Sequence, residues 1–336
     1  MLRVAMLSFA HVHANGYARQ VTENPEAEIV AIWEDDKGRG EAATELTGIP
    51  YEMDLEKVVS RDDVDAVVIN AYTSQHPWVI KTALKYGKHV FTEKALCVKT
   101  EDADEIVKMV NESGVKFMIS LPSRTRAETL FMKKVLDEGW LGDITFMRAR
   151  VAHNASLDHW FHDGSAWFAD AELAGGGALF DLGCHTVDVM RWFMGKPKSV
   201  IAKINTFSDA YPIDDNSVIV VEFESNALGV LDTSWVQRSG PNPYEIRGTK
   251  GYLGTDPSGG VVLRSTDLEP EGLQGYIKPA WRRARDRESL PMPMEQWVSA
   301  ILHGTDMTIT VEDGRNLTEM LERAYEAART GREVKF

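Results

Sequence analysis

Residues 3–36, RVAMLSFAHVHANGYARQVTENPEAEIVAIWEDD, read as a strand, a helical stretch, a second strand and an acidic turn. Arg3–Leu7 and Glu28–Trp33 are short, β-rich and largely apolar, as strands covered on both faces must be. The alternation continues outward from this unit. Ala66–Asn70, His89–Thr92 and Lys116–Ser120 are further strands, with helices over Pro77–Tyr86 and Glu101–Asn111. The second helix has Thr100 as its expected N-cap, Glu101, Asp102 and Asp104 in its first turn, and a stop near Gly114. Strands and helices alternating over short connections build a parallel, doubly wound sheet.

After Leu121-Pro122 the pattern changes. A helix over Ala127–Glu138 leads to a strand, Ile144–Val151, then to a His/Trp/Asp-rich loop and a helix-forming run from Gly175. Strands over Ser217–Glu224, Gly229–Trp235 and Tyr244–Gly248 follow, the last turning at Thr249-Lys250-Gly251. Asp267–Pro293 reads as a long loop. The chain ends on a helix with Leu317, Met320, Leu321, Ala324 and Ala328 on one face and Gly331 as its stop. The expected fold is α/β followed by α+β. Residues 1–122 form a Rossmann domain with a doubly wound parallel sheet, and residues 123–336 an α+β domain with a large, mainly antiparallel open sheet.

The composition narrows the partners. A net charge of −14 over 336 residues argues against a nucleic-acid or anionic-membrane binder, which needs clustered Lys and Arg. Cys97 and Cys184 are far apart, with no C-x-x-C spacing, so a disulfide framework or thiolate zinc site is not expected. The N-terminus lacks a signal-peptide core, and no apolar run reaches the ~18 residues of a membrane span. A cytoplasmic protein is expected.

Ligands of doubly wound sheets lie outside the carboxyl ends of the strands. Ser8-Phe9-Ala10-His11-Val12-His13 stands where a dinucleotide fold has G-x-G-x-x-G, and none of the six is Gly. Ser8 and Ala10 are small enough to let a pyrophosphate approach the backbone amides, with His11 or His13 adding a side-chain contact. Glu34, followed by Asp35 and Asp36, ends the second strand where an acid meets the adenosine ribose. A carboxylate there favours NAD over NADP.

Three stretches carry a family resemblance. Gly87–Ala95, GKHVFTEKA, resembles the GKHV…EKP segment of the glucose–fructose oxidoreductase, inositol dehydrogenase and rhizopine-catabolism (Gfo/Idh/MocA) family. Gly175–His185, GGGALFDLGCH, is similar to that family's GGG-x-L-x-D-x-G-x-H motif, and VEDGRNLTEMLERAYEAARTGREV to its closing helix. Ala95 departs from the family's Pro. The likeness spans essentially the whole chain. It implies a cofactor set that also takes in Ala71, His76, Glu93 and Lys94, and a homodimer or homotetramer built through the C-terminal sheet.

The resemblance also implies that Lys94, Asp181 and His185 carry catalysis. Oxidising a secondary alcohol needs a proton acceptor as hydride leaves carbon, and His titrates near neutrality. A Lys ammonium stabilises developing charge on the substrate oxygen. Asp181 precedes His185 by four residues, so a helix turns both the same way, with the acid free to bind substrate hydroxyls. Arg124, His153, His159 and Trp160 complete the expected substrate set. His153, Asp158, His159 and His162 have spacing compatible with a metal, but a pocket lining or plain packing is favoured, and no metal is expected. Trp235, Arg238 and Trp281-Arg282-Arg283 are weaker pocket candidates.

These readings point to a dehydrogenase of a sugar, inositol or related polyol. Two rivals remain: a nucleotide- or sugar-binding sensor without turnover, favoured by the glycine-free loop, and a glycoside-cleaving enzyme that uses NAD transiently.

Overall fold

Six parallel strands make the first sheet in the computed structural model, which describes residues 1–256, 260–268, 281–283 and 288–336. They are β1 (Leu2–Leu7), β2 (Ala27–Trp33), β3 (Tyr51–Glu52), β4 (Ala66–Ile69), β5 (His89–Thr92) and β6 (Phe117–Ile119). Their order is β3-β2-β1-β4-β5-β6. Val4–Leu7 and Ala66–Ile69 are fully buried, which is why these runs are apolar rather than alternating. The order reverses between β1 and β4, so the crevice for a ligand opens at their carboxyl ends.

The helices of this part are α1 (Ala14–Glu23), α2 (Lys37–Thr47), α3 (Leu55–Val59), α4 (His76–Lys85) and α5 (Thr100–Ser113). α5 corrects one expectation: Thr100 is already helical and Lys99 is the N-cap, without a side-chain cap. Gly114 ends the helix at φ +70, a backbone region that glycine enters without a Cβ clash.

The remaining helices are α6 (Ala127–Asp137), α7 (Ala171–Ala174), α8 (Cys184–Met194), α9 (Pro293–His303) and α10 (Val311–Thr330). In α10 Leu317, Met320, Leu321 and Ala324 are buried as expected, and Ala327 rather than Ala328 continues the face.

The second sheet contains β7 (Ile144–Ala152), β8 (Pro197–Asn205), β9 (Asn216–Phe223), β10 (Leu228–Ser234), β11 (Tyr244–Gly248), β12 (Gly251–Thr255), β13 (Val261–Ser265), β14 (Arg282–Arg283) and β15 (Val334–Lys335). Among the described residues their order is β14-β13-β12-β11-β7-β10-β9-β8-β15. Every pairing is antiparallel except β7 with β10. The loop expected over Asp267–Pro293 lies partly outside the described residues, and Arg282–Arg283 within it pairs as a strand with β13.

Two compact units result. Unit 1 holds Met1–Leu121, Trp160–Gly177 and Pro291–Glu319; unit 2 holds Pro122–His159, Ala178–Leu290 and Met320–Phe336. Among the described residues no helix is long and apolar enough to cross a membrane.

Candidate active site

The first loop of unit 1 is held by its own side chains. Ser8 occupies the place of the first glycine and adopts φ +70, a conformation that costs an L-residue strain. Its hydroxyl accepts from the Ala10 amide at 3.1 Å and donates to Glu34 Oε2 at 3.1 Å. The Phe9 amide donates to the same Glu34 oxygen at 2.7 Å, and the His11 amide to the Asn70 carbonyl at 2.9 Å. Val12 is exposed at the loop's tip. Trp167 closes over the loop, donating its indole N–H to the Ala10 carbonyl at 2.9 Å. The rings of Trp167 and Phe168 stack 4.0 Å apart and pack against His11.

Glu34 is wholly buried. Its second oxygen accepts from the Asp36 amide and from Arg39, whose Nε and Nη2 approach to 3.1 and 2.7 Å. Arg39 also donates to Asp35 and to the Tyr72 hydroxyl, and lies 5.2 Å from the Tyr72 ring centre. Burial opposes the Arg39 charge, but Glu34 outweighs it and raises the guanidinium above its ordinary value. Asp35 stays at the surface, accepting from Gln75 at 2.8 Å, while Asp36 caps α2 through the Arg39 amide.

The end of β5 carries a second buried carboxylate. Glu93 Oε1 accepts from the Tyr17 hydroxyl at 2.5 Å and faces His13 Nδ1 at 2.8 Å; Oε2 accepts from the Lys94 amide at 2.9 Å, with His11 Nε2 at 3.7 Å. Burial alone favours a neutral acid, but His11, His13 and Lys94 hold the Glu93 carboxyl well below the usual range. Burial, then Glu93, pushes the Tyr17 phenol above its ordinary value. Lys94 is buried, and the Lys94–Ala95 peptide is cis where the family motif has Pro. His76 is buried too, with Nδ1 2.9 Å from the Ala95 carbonyl and Nε2 3.2 Å from that of Ala71. Desolvation keeps its pKa below the ordinary histidine value.

Unit 2 carries the other candidates. Asp181 lies in a π-helical turn, Leu179–Gly183, that runs directly into α8, where His185 is the second residue. Both are half-buried. Such turns recur at functional sites because they bring inward a residue that a regular helix would misplace. Arg124 is buried against Asp188 through a two-pronged ion pair, Nε to Oδ2 at 2.9 Å and Nη2 to Oδ1 at 2.7 Å. His153 Nδ1 accepts from the Ala155 amide at 3.2 Å, and the His159 ring lies 6.2 Å from that of Tyr211. Asp158 pairs with Asn154 and Arg238, and Trp235 is fully buried. Trp160, which belongs to unit 1, is exposed, as are His162 and, in unit 2, Trp281.

His153, Asp158, His159 and His162, whose spacing was compatible with a metal although none was expected there, do not form a set with metal-compatible geometry among the described residues. Among the described residues the set with metal-compatible geometry is instead His11, His13 and Glu93, whose ligand atoms all lie within 4.8 Å of one another. Tyr17, Arg39, Tyr72 and Phe168 escaped the sequence reading, while Trp167, expected with Trp160 to line a pocket, instead closes over the first loop. Tyr17 had a signal, standing four residues after His13 on the same face of α1; Phe168 had none.

A 3-2-1-4-5-6 parallel sheet followed by a broad mixed sheet, with an acid closing β2 and a Glu-Lys pair closing β5, defines a two-domain nicotinamide-nucleotide oxidoreductase. The chain belongs to the Gfo/Idh/MocA oxidoreductase family. Residues 3–121 match the family's NAD-binding Rossmann fold, and residues 129–254 its C-terminal domain. It is 25% identical to scyllo-inositol 2-dehydrogenase (NAD(+)) of Bacillus subtilis (strain 168), covering 100% of this chain and 96% of that one. It is 27% identical to 1,5-anhydro-D-fructose reductase of Ensifer adhaerens over 79% of this chain and 82% of the relative. A crystal structure of a protein from gentamicin A biosynthesis, in complex with NAD, superposes with a TM-score of 0.81 at 25% identity, covering 100% of this chain and 96% of that one.

Proposed function

We propose that this protein is an NAD(H)-dependent dehydrogenase that interconverts a secondary alcohol and a ketone on a sugar, inositol or related polyol. The observation that carries the reading is Lys94, buried at the carboxyl end of β5 and directly after the anchored Glu93. In a sheet of this order that end faces the ligand crevice.

The residues present fit a dinucleotide. Ser8 supplies the left-handed turn that glycine would give, and the Val12 amide and the opening of α1 remain to meet a pyrophosphate, with His13 beside them. Asp35, at the surface of the β2 turn, favours a ribose hydroxyl over a phosphate, and so NAD over NADP. The bound nicotinamide supplies the hydride acceptor or donor. Lys94 steadies charge on the substrate oxygen, His185 holds or returns the hydroxyl proton, and Asp181 binds a neighbouring hydroxyl. Arg124, spent on Asp188, shapes unit 2 rather than gripping a ligand.

We assign the oligomer to the open sheet. Ile201, Val218 and Leu228 are half-exposed on β8, β9 and β10, and Ile201, Val220 and Val230 stand opposite one another across the strands. An apolar face of this kind calls for a second copy, as a dimer or tetramer. Light scattering of wild type and Ile201→Glu tests it. A monomeric wild type rejects the assignment.

One observation favours a second reading. The first loop has no glycine, and its Phe9, Ala10, His11 and His13 amides all donate within unit 1, leaving few for a pyrophosphate; this departure favours a nucleotide- or sugar-binding protein without turnover. Absorbance screening for NADH formation against sugars, inositols and sugar acids separates the two. NADH formation supports the dehydrogenase; calorimetric NAD binding with no turnover across the panel supports the binder.

A further inference from the structure

The cluster behind the first loop has protonation states that can be read from its donors. The His13 amide donates to His11 Nδ1 at 3.2 Å, so neutral His11 carries its ring proton on Nε2, the nitrogen turned to Glu93. Glu93 accepts the Tyr17 hydroxyl on Oε1 and the Lys94 amide on Oε2, so it acts as an acceptor through both oxygens and the 2.8 Å contact to His13 is an Nδ1–H donating to Oε1. The lone pair of neutral His13 is thereby placed on Nε2. That nitrogen has no hydrogen-bond partner among the described residues, on a side chain that is 51% exposed.

The carboxylate that sets this tautomer is itself fixed. Tyr17 bonds both Glu93 Oε1, at 2.5 Å, and Ser120 Oγ, at 2.7 Å, and the Lys94 amide holds Oε2. A buried acid that orients an imidazole by one nitrogen and leaves the other as a base is the arrangement general acid–base catalysis needs.

A metal ion is the competing occupant, since His11, His13 and Glu93 have suitable spacing. A histidine that ligates through Nε2 donates its other ring N–H to an acceptor. His11 Nδ1 does the reverse, receiving an amide N–H. The hydrogen-bonded form therefore prevails.

We infer that His13 and Glu93 form an acid–base dyad, in which Glu93 fixes the imidazole and His13 Nε2 exchanges a proton with a hydroxyl of a bound sugar or ribose. The inference rests on the dehydrogenase reading for its reaction and extends it by naming a further proton-exchange group. In the oxidative direction His185 takes the alcohol O–H proton at the reacting carbon, and His13 Nε2 receives it onward through a ribose hydroxyl, so that one proton passes along a single relay. The C–H electrons leave as hydride to NAD(+), the imidazolium returns its proton to water, and Glu93 stays ionised throughout.

The first test needs neither cofactor nor substrate. Ring-nitrogen NMR of histidine-labelled protein, assigned with His13→Gln, is expected to show His13 as the Nδ1–H tautomer, moving toward Nε2–H in Glu93→Gln. Tyr17→Phe keeps the carboxylate and is expected to give a smaller move, which covers the case of a Glu93 variant that does not fold. A wild-type His13 in the Nε2–H form overturns the dyad. So does zinc alone binding stoichiometrically to wild type and not to His13→Gln.

With a substrate in hand, His13→Gln should lower kcat by at least about 100-fold, and His13→Gly should recover part of the rate with added imidazole. Whether the sugar KM or the cofactor Kd moves with kcat tells which hydroxyl is served. An unchanged kcat at saturation, or no rescue by imidazole, removes His13 from proton transfer. If no polyol is turned over, the dehydrogenase reading fails while the tautomer measurement still decides the dyad.

Discussion

The hydroxyl of Tyr17 donates to Glu93 Oε1 at 2.5 Å, tying the first helix of unit 1 to the end of β5. Both groups are buried, so the bond is paid for by no competing water. Tyr17→Phe keeps the ring packed 5.2 Å from Phe91 and removes only the donor. The carboxylate then loses one of its charge-assisted bonds, at a cost of about 1–3 kcal/mol. Thermal or urea unfolding measures it; a stability within error of wild type would show the bond to be energetically idle.

Unit 1 should lose stability in acid in two stages. An ordinary histidine titrates near 6.5, and burial sets His76 below that. Below pH 6.5 the unfolded chain therefore binds a proton that folded His76 does not, so stability present above that pH falls as pH drops toward the depressed native value. Glu93, held below the ordinary 4.5, adds a loss of the same sign at lower pH. Melting temperature against pH should decline from about 6.5 downward. His89, also depressed by burial, adds a loss of the same sign to the first stage, so His76→Gln should shrink that stage and leave the second.

Local pattern was enough for the elements whose chemistry is local. β5 was placed to the residue, and β1, β2, β4, β7, β9 and β10 to within a residue at either end. β3 was missed because Tyr51–Glu52 is too short to show alternation, and α9 because Pro291 and Pro293 blur its start. The membership of 160–177 and 291–319 in unit 1 depends on contacts distant in sequence. Trp167 reaches Ala10 across 157 positions, and no periodicity announces that. Glu34 and Glu93 were legible as residues of the site, but not the fact that their oxygens are occupied by Ser8, Phe9, Arg39 and Tyr17.

Arg124 and Asp188 make a test of structural against ligand-binding roles within unit 2. Both are buried, and Arg124 also lies 5.3 Å from the Trp192 ring centre. Removing one partner leaves an unpaired buried charge, so Arg124→Ala should destabilise by about 3–5 kcal/mol. The double variant Arg124→Met/Asp188→Leu should recover most of that loss. If Arg124→Ala instead keeps its melting temperature and raises only the substrate KM, the arginine serves the ligand.

Cofactor choice should follow the surface acid of the β2 turn rather than the buried one. Glu34 accepts from Ser8, Phe9, Asp36 and Arg39, so it holds the loop and has little left for a ribose. Asp35 lies at the surface, where Arg39 and Gln75 each take one of its oxygens and leave lone pairs open to a ribose hydroxyl. Wild type should bind NAD more tightly than NADP by calorimetry, and Asp35→Asn should narrow the gap. Glu34→Gln should weaken both cofactors together, with a drop in stability. Equal wild-type affinities would remove the acidic turn from the argument.

The roles proposed for Lys94, His185 and Asp181 give the last expectation. Lys94 ends β5 in unit 1, while Asp181 and His185 belong to the π-helical turn and α8 of unit 2. A proton-handling group acts in the transition state, so its removal should lower kcat and spare NAD binding. Acid–base contributions run from about 100-fold to 10,000-fold, and Lys94→Ala and His185→Ala should each lose at least the lower figure. Asp181→Ala should raise KM as well, because a carboxylate that binds a substrate hydroxyl works in the ground state too. Steady-state kinetics on the first sugar found to reduce NAD, with calorimetry for cofactor and melting curves for folding, reads all three. A folded His185→Ala with near-wild-type kcat would take that histidine out of the reaction and leave His13 as the imidazole to test in its place.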